Sequence, residues 1–156
     1  MSAGRVDGKG DGDGDGGVRV LRVAAGPSPG PAETLRVAGA TLDEAWQDLP
    51  LGAYTTLRTI DGDRLLCPEP HVARLEESAR LAGSSRTIDR AALRGVLRDA
   101  LDARRAPGET RVRLLLTYGP EPGWIYAGFE PLPAPDPAKY VRGVRTVTCA
   151  LARSNQ

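Results

Sequence analysis

Lysine, histidine, cysteine and aromatic residues are all scarce in this chain. Of 21 basic residues only Lys9 and Lys139 are lysines, and 20 acidic residues leave a formal net charge of +1. A balance this close to neutral gives neither nucleic acid nor an acidic membrane surface a reason to bind, so neither is expected as a partner. The two cysteines, Cys67 and Cys149, stand far apart in apolar runs without metal-ligand spacing, and are expected as buried thiols in a reducing cytosol, with no metal site. No long apolar run and no charged start followed by an apolar stretch and a cleavage site occur, which argues against a membrane span and secretion and for a cytoplasmic protein. Aromatics make up 4% of the residues against 19 Gly and 13 Pro, so the 156 residues are expected to hold one modest core with tails.

What is present divides unevenly. Residues 1–17 are low in complexity, with Asp and Gly alternating, and have too little to bury to offset the entropy of ordering. Asp11, Asp13, Asp15 and Gly16 imitate the front of a calcium loop, but its twelfth position falls on Arg22, which excludes an ordinary EF-hand. Val18–Val23 is compatible with a strand, yet the Pro- and Gly-rich stretch after it reads as a linker, so residues 1–32 are assigned to a disordered tail and linker. The folded domain is placed at 33–130. It opens with a short strand at Leu35–Ala38 and a helix begun by the capping box Thr41-Leu42-Asp43-Glu44, with Leu42, Ala45, Trp46 and Leu49 at helical spacing.

The most informative stretch is 52–83. Ala53–Ile60 is rich in strand formers, Asp61-Gly62 suits a two-residue turn with positive φ, and Arg64–Cys67 resumes the strand before Pro68. A helix over His71–Ala82, closed by Gly83, then buries Val72, Leu75, Ala79 and Ala82. His71, Arg74 and Ser78 form a polar stripe along the margin of that face. An arginine so placed needs an anion, and on spacing alone the ordinary partner is a carboxylate of its own chain. His71, the only histidine, is expected to pack and orient its neighbours rather than to act as a general base.

A third helix runs from its cap at Thr87 to about Arg104, its arginines interleaved with Asp89, Asp99 and Asp102 as on a solvated face. Thr110–Tyr118 and Trp124–Phe129 form a second hairpin. The expectation is an α+β fold, with two main helices over one face of a mostly antiparallel sheet of two hairpins.

The ordered pair GAYTTLRT and His71-Val72-Ala73-Arg74-Leu75-Glu76-Glu77-Ser78-Ala79 resembles the N-terminal part of the class IV aminotransferase family, pyridoxal-phosphate enzymes of fold type IV. The family includes branched-chain and D-amino-acid aminotransferases and aminodeoxychorismate lyase. Over about Leu35–Asn155 the resemblance implies that Arg74 grips the phosphate of pyridoxal 5'-phosphate, that Tyr54 lines the substrate pocket, and that Arg113 lies near the substrate carboxylate. Arg111 stands where branched-chain enzymes tend to have Tyr, a departure that leaves substrate preference open, and for both strand arginines a surface pair with a glutamate is at least as strong an alternative.

Residues 131–156 are expected as a connector followed by Tyr140–Leu151, the opening strand of a larger, missing cofactor domain. The Schiff-base lysine would lie beyond Gln156, because Lys9 and Lys139 are both misplaced for it; no catalytic residue is therefore assigned. The resemblance implies a fragment, inactive alone, of an enzyme that moves an amino group between an amino acid and a 2-keto acid, commonly as a homodimer. A lyase-like fragment and a non-catalytic binding or assembly module are the alternatives.

Overall fold

The computed structural model describes residues 17–26, 30–104, 107–118 and 123–150. The acidic tail, its calcium-loop imitation and Lys9 lie outside them. In chain order the elements are β1 (Arg19–Ala24), β2 (Glu33–Leu35), α1 (Leu42–Ala45) with a 3-10 turn at Trp46–Asp48, β3 (Gly52–Ile60), β4 (Arg64–Leu65), α2 (Pro68–Leu81), α3 (Arg90–Asp102), β5 (Glu109–Thr117), β6 (Trp124–Leu132) and α4 (Pro137–Arg142). The fold is α+β, and the strands form one sheet in the order β2-β1-β6-β5-β3-β4, every neighbouring pair antiparallel.

Local chemistry accounts for several boundaries. Asp61 and Gly62 take the expected positive φ, 54° and 89°, but Ile60 pairs with Arg64, so the hairpin loop holds three residues, 61–63, rather than two. The capping box forms, with the Thr41 side chain accepting from the Glu44 N–H and the Glu44 carboxylate reaching back to the N–H of Thr41. Helix α2 begins three residues before the expected start: Pro68 and Pro70 both fall in its first turn, where a missing N–H costs no hydrogen bond. Asp89 caps α3, accepting from the N–H groups of Ala91 and Ala92 at 3.1 and 2.9 Å.

Alternation along the strands builds two apolar layers. Ala53, Leu57, Val112, Leu114, Leu116, Ile125, Ala127 and Phe129 pack beneath α2 and α3, which add Val72, Leu75, Ala79, Leu93 and Leu97. On the opposite face Val20, Leu115 and Tyr126 are covered by Leu42 and Trp46. Both faces therefore carry a helix, whereas the sequence pointed to one. Gly128 makes the second layer possible, because a Cβ there would come within 2.5 Å of the Trp46 ring and 2.6 Å of Leu42.

Three expectations need correction. The folded unit does not begin at Glu33: Arg19–Ala24, assigned to the tail and linker, pairs along its whole length with β6 and buries Val20, Leu21 and Val23. Tyr140–Leu151 does not open a strand. Asp136 accepts from the Ala138 N–H at 2.9 Å and Pro137 starts α4 through Arg142, after which Gly143 turns at φ 72°. Residues 143–150 then run exposed with no strand beside them to complete a hydrogen-bond ladder, and 151–156 lie outside the described residues. Cys67 and Cys149 are exposed rather than buried, Cys67 because it takes the left-handed turn (φ 46°) into α2. Among the described residues no helix is long and apolar enough to cross a membrane.

The close approach at Gly128 gives a direct test. Gly128→Val should destabilise the fold by about 1–3 kcal/mol through overpacking and shift the Trp46 emission, both read in a denaturant titration followed by tryptophan fluorescence.

Candidate functional site

Strand β3 places Thr55 on the face that carries Ala53 and Leu57, so its hydroxyl is turned into an apolar layer and is 2% exposed. A buried hydroxyl needs partners. The first turns of α2 supply them: Arg74 Nη2 donates to Thr55 Oγ1 at 2.7 Å, and Thr55 Oγ1 lies 3.0 Å from His71 Nδ1. Arg74 Nη2 also stands 3.4 Å from that ring nitrogen. Arg74 donates to Thr55, and with the same guanidinium also turned toward Nδ1 the contacts suit the neutral His71 tautomer protonated at Nε2, in which Thr55 donates its own proton to Nδ1. Burial first, and then the Arg74 charge, hold the His71 pKa below its ordinary value.

No carboxylate joins this cluster. The three glutamates of α2 are each committed elsewhere: Glu69 to Arg94 at 2.5 Å, Glu76 to Arg90, and Glu77 to Arg80 at 2.7 Å. Arg74 makes no ion pair among the described residues, and its exposed side chain is held by the neutral groups Thr55 and His71. Ser78, the last residue of the expected polar stripe, is half-buried and takes no part in these bonds.

The other strand-borne residues lie elsewhere. Tyr54 is 64% exposed and points to the opposite face of the sheet from Thr55. Arg113 shares Tyr54's face but is occupied: it donates to Asp43 at 2.5 Å, lies over the Trp46 ring at 5.2 Å, and is only 12% exposed. Asp43 in turn has its pKa lowered by that hydrogen bond and charge. Arg111 is paired with Glu130, whose carboxylate is 5% exposed and also accepts from the Leu42 N–H at 2.7 Å. Both strand arginines therefore follow the ion-pair alternative.

From Gly52 to Leu57 the outer edge of β3 has no strand partner among the described residues, since β4 pairs only with Thr59 and Ile60. A cleft of about 290 Å³ wraps this edge, with His71 and Leu57 on the helical side and Arg58 and Arg111 on the other. Arg58 faces Arg111 directly across the ladder and donates Nε to the Thr59 carbonyl at 3.2 Å. Sequence reasoning missed Thr55 as a site residue. The signal was available, since alternation from Ala53 to Leu57 already puts Thr55 on the core face beside α2.

No protein-family model matches the chain, and no curated protein matches it significantly. Two solved structures share its fold, the PLP-bound and apo forms of a hypothetical aminotransferase from Mycobacterium tuberculosis. Each is 24% identical over 74% of this chain, with TM-scores of 0.52 and 0.53. The match spans 41% and 40% of those chains, about two fifths of their length.

These contrasting arginine environments predict contrasting stabilities. Arg74→Met should change the unfolding free energy by less than about 1 kcal/mol, whereas Arg111→Met, which leaves the Glu130 carboxylate buried and unpaired, should cost about 2 kcal/mol, allowing for the partial exposure of Arg111. The lowered His71 pKa has its own signature. The unfolded chain binds the proton more readily, so stability held above about pH 6.5 is lost as pH falls toward the folded-state value. Denaturation midpoints against pH should show this slope in the wild type and a shallower one in His71→Gln.

Proposed function

We propose that this chain is the small-domain portion of a pyridoxal-phosphate-dependent aminotransferase of class IV, and that Arg74 holds the cofactor's phosphate. The observation that carries the reading is an exposed arginine steadied by a buried threonine and a neutral histidine, while every acid on its own helix is paired with another arginine. The fold likeness to a PLP-bound structure supports it.

The donor set fits a phosphate dianion. A guanidinium stays charged at every working pH and offers several donors in a fixed plane. Of these only Nη2 is engaged in the described bonds, so Nη1 keeps both of its hydrogens for phosphate oxygens. Thr55 fixes the tilt of the plane, and His71, being neutral, neither competes for the anion as an acid would nor pairs with Arg74. Pyridoxal phosphate, when bound, supplies an aldehyde that condenses with amino groups and a ring that withdraws electrons from the substrate's α-carbon. The residues seen here bind and orient; none of them is placed to move a proton on a substrate. Lys139 sits exposed in α4, and the 156-residue chain is accordingly read as a binding body without turnover of its own. Tyr54, exposed on β3, is the candidate for contact with the amino acid or keto acid, in an assembly that we take to be a homodimer.

Titration with pyridoxal phosphate and with pyridoxal, which lacks the phosphate, tests this. Arg74→Met should weaken binding of the phosphate ester by about tenfold or more and leave pyridoxal unchanged, the loss expected for a charge-assisted hydrogen-bonded contact. Equal binding of the ester by wild type and variant would overturn the assignment. Transamination by the purified chain would overturn the lack of turnover.

A further inference from the structure

The three members of the cluster meet at one hydroxyl group. We propose that Thr55 is a positioning residue that couples Arg74 to His71, so that a dianion bound at the Arg74 guanidinium draws a proton from solvent onto His71 Nδ1. The inference rests on the reading of Arg74 as an anion site.

Without an anion the Thr55 hydroxyl has both roles filled, accepting from Arg74 Nη2 at 2.7 Å and donating to His71 Nδ1 at 3.0 Å. Protonating Nδ1 would abolish that acceptor and set a second cation 3.4 Å from the guanidinium. The other charged groups around the imidazole add to the opposition. Arg58 of β3 and Arg111 of β5 line the same cleft, and only Arg111 is neutralised, by Glu130 of β6. Within α2, Glu69, Glu76 and Glu77 are held by Arg94, Arg90 and Arg80. Among the described residues no unpaired carboxylate faces the ring, in keeping with its lowered pKa.

A dianion reverses this balance. Two negative charges beside Arg74 favour a second cation nearby. Once Nδ1 carries a proton, Thr55 Oγ1 accepts from both the ring and the guanidinium, and its own hydrogen is released to turn toward the anion. The hydroxyl thereby changes from a lock on the neutral histidine into an additional donor. The proton balance closes with solvent alone, and no bond other than N–H is made.

His71 is the only histidine in the chain, so its ring resonances can be followed without ambiguity. We would record its pH titration by 15N-resolved NMR in sulfate, a dianion whose charge stays constant across the range, and in chloride at equal ionic strength. Sulfate should raise the His71 midpoint by about one pH unit. The rise should vanish in Arg74→Met, shrink in Thr55→Val and return in Thr55→Ser, which keeps the hydroxyl. Sulfate-dependent shifts of the Arg74 Nε resonance with an unmoved His71 midpoint would overturn the coupling while leaving the anion site intact. A His71 and an Arg74 that both ignore sulfate would overturn the anion site itself.

Discussion

A pleated strand sends successive side chains to opposite faces, and in β3 this constraint decides what each residue can do. Ala53 and Leu57 enter the core beneath α2, and Thr55 has to go with them because it lies between them in register. A hydroxyl in that position must be bonded, so the chain requires a polar partner from the helix above. The helix answers with residues one turn apart, His71 and Arg74, whose shared orientation follows from the i, i+3 spacing. The polar margin of α2 and the buried threonine of β3 are in this sense one feature.

The arginines show how context separates structure from function. Arg111 and Arg113 occupy alternate positions of β5, and each meets an acid from a distant part of the chain, Glu130 on β6 and Asp43 in α1. Their burial and their partners make them fasteners between the sheet and α1: Glu130 also accepts from the Leu42 N–H, and Arg113 stacks on Trp46. Between α2 and α3, Arg90 and Arg94 neutralise Glu76 and Glu69. Arg74 differs in having its plane fixed by neutral groups, which directs the guanidinium without discharging it.

Much of this was legible in the sequence because it is local. The positive φ of Asp61 and Gly62, the Thr41 capping box, the buried Val72, Leu75 and Ala79 of α2, the stripe of α3 and the second hairpin each depend on a few neighbouring residues, and each is found, whereas Ala82, expected in the α2 stripe, is exposed. The misses share a different cause. Strand β1 owes its place to β6, about a hundred positions further on, and a short apolar run before a Pro-rich stretch carries no trace of that pairing. The partners of Arg111 and Arg113 are fixed by register and by the seating of α1, neither of which spacing along one strand reveals. At 140–142, where the expected strand was to begin, the apolar pattern favoured a strand while Asp136 and Pro137 began a helix; with no neighbouring strand among the described residues, the local capping signal prevails.

The placement of the cluster at a sheet edge also limits what this set of residues does alone. Arg74 and His71 approach β3 from the helical side, while Tyr54 and Arg58 leave it on the other, so a ligand in contact with both groups has to pass around the unpaired edge. A cleft of about 290 Å³ lies there, at the lower end of the range for small-molecule pockets, and such pockets bury most of their ligand's surface. One strand edge and one helix margin cannot enclose a phosphorylated aromatic ring from all sides. Under the proposed reading Arg74 fixes the phosphate and β3 offers a wall, but exclusion of water from the reacting end of the cofactor requires surface beyond that supplied by β3, α2 and their immediate neighbours. The chemistry expected of such a site is therefore divided by geometry: anchoring falls to the buried threonine, the neutral histidine and the arginine, and enclosure falls to whatever packs against the free edge.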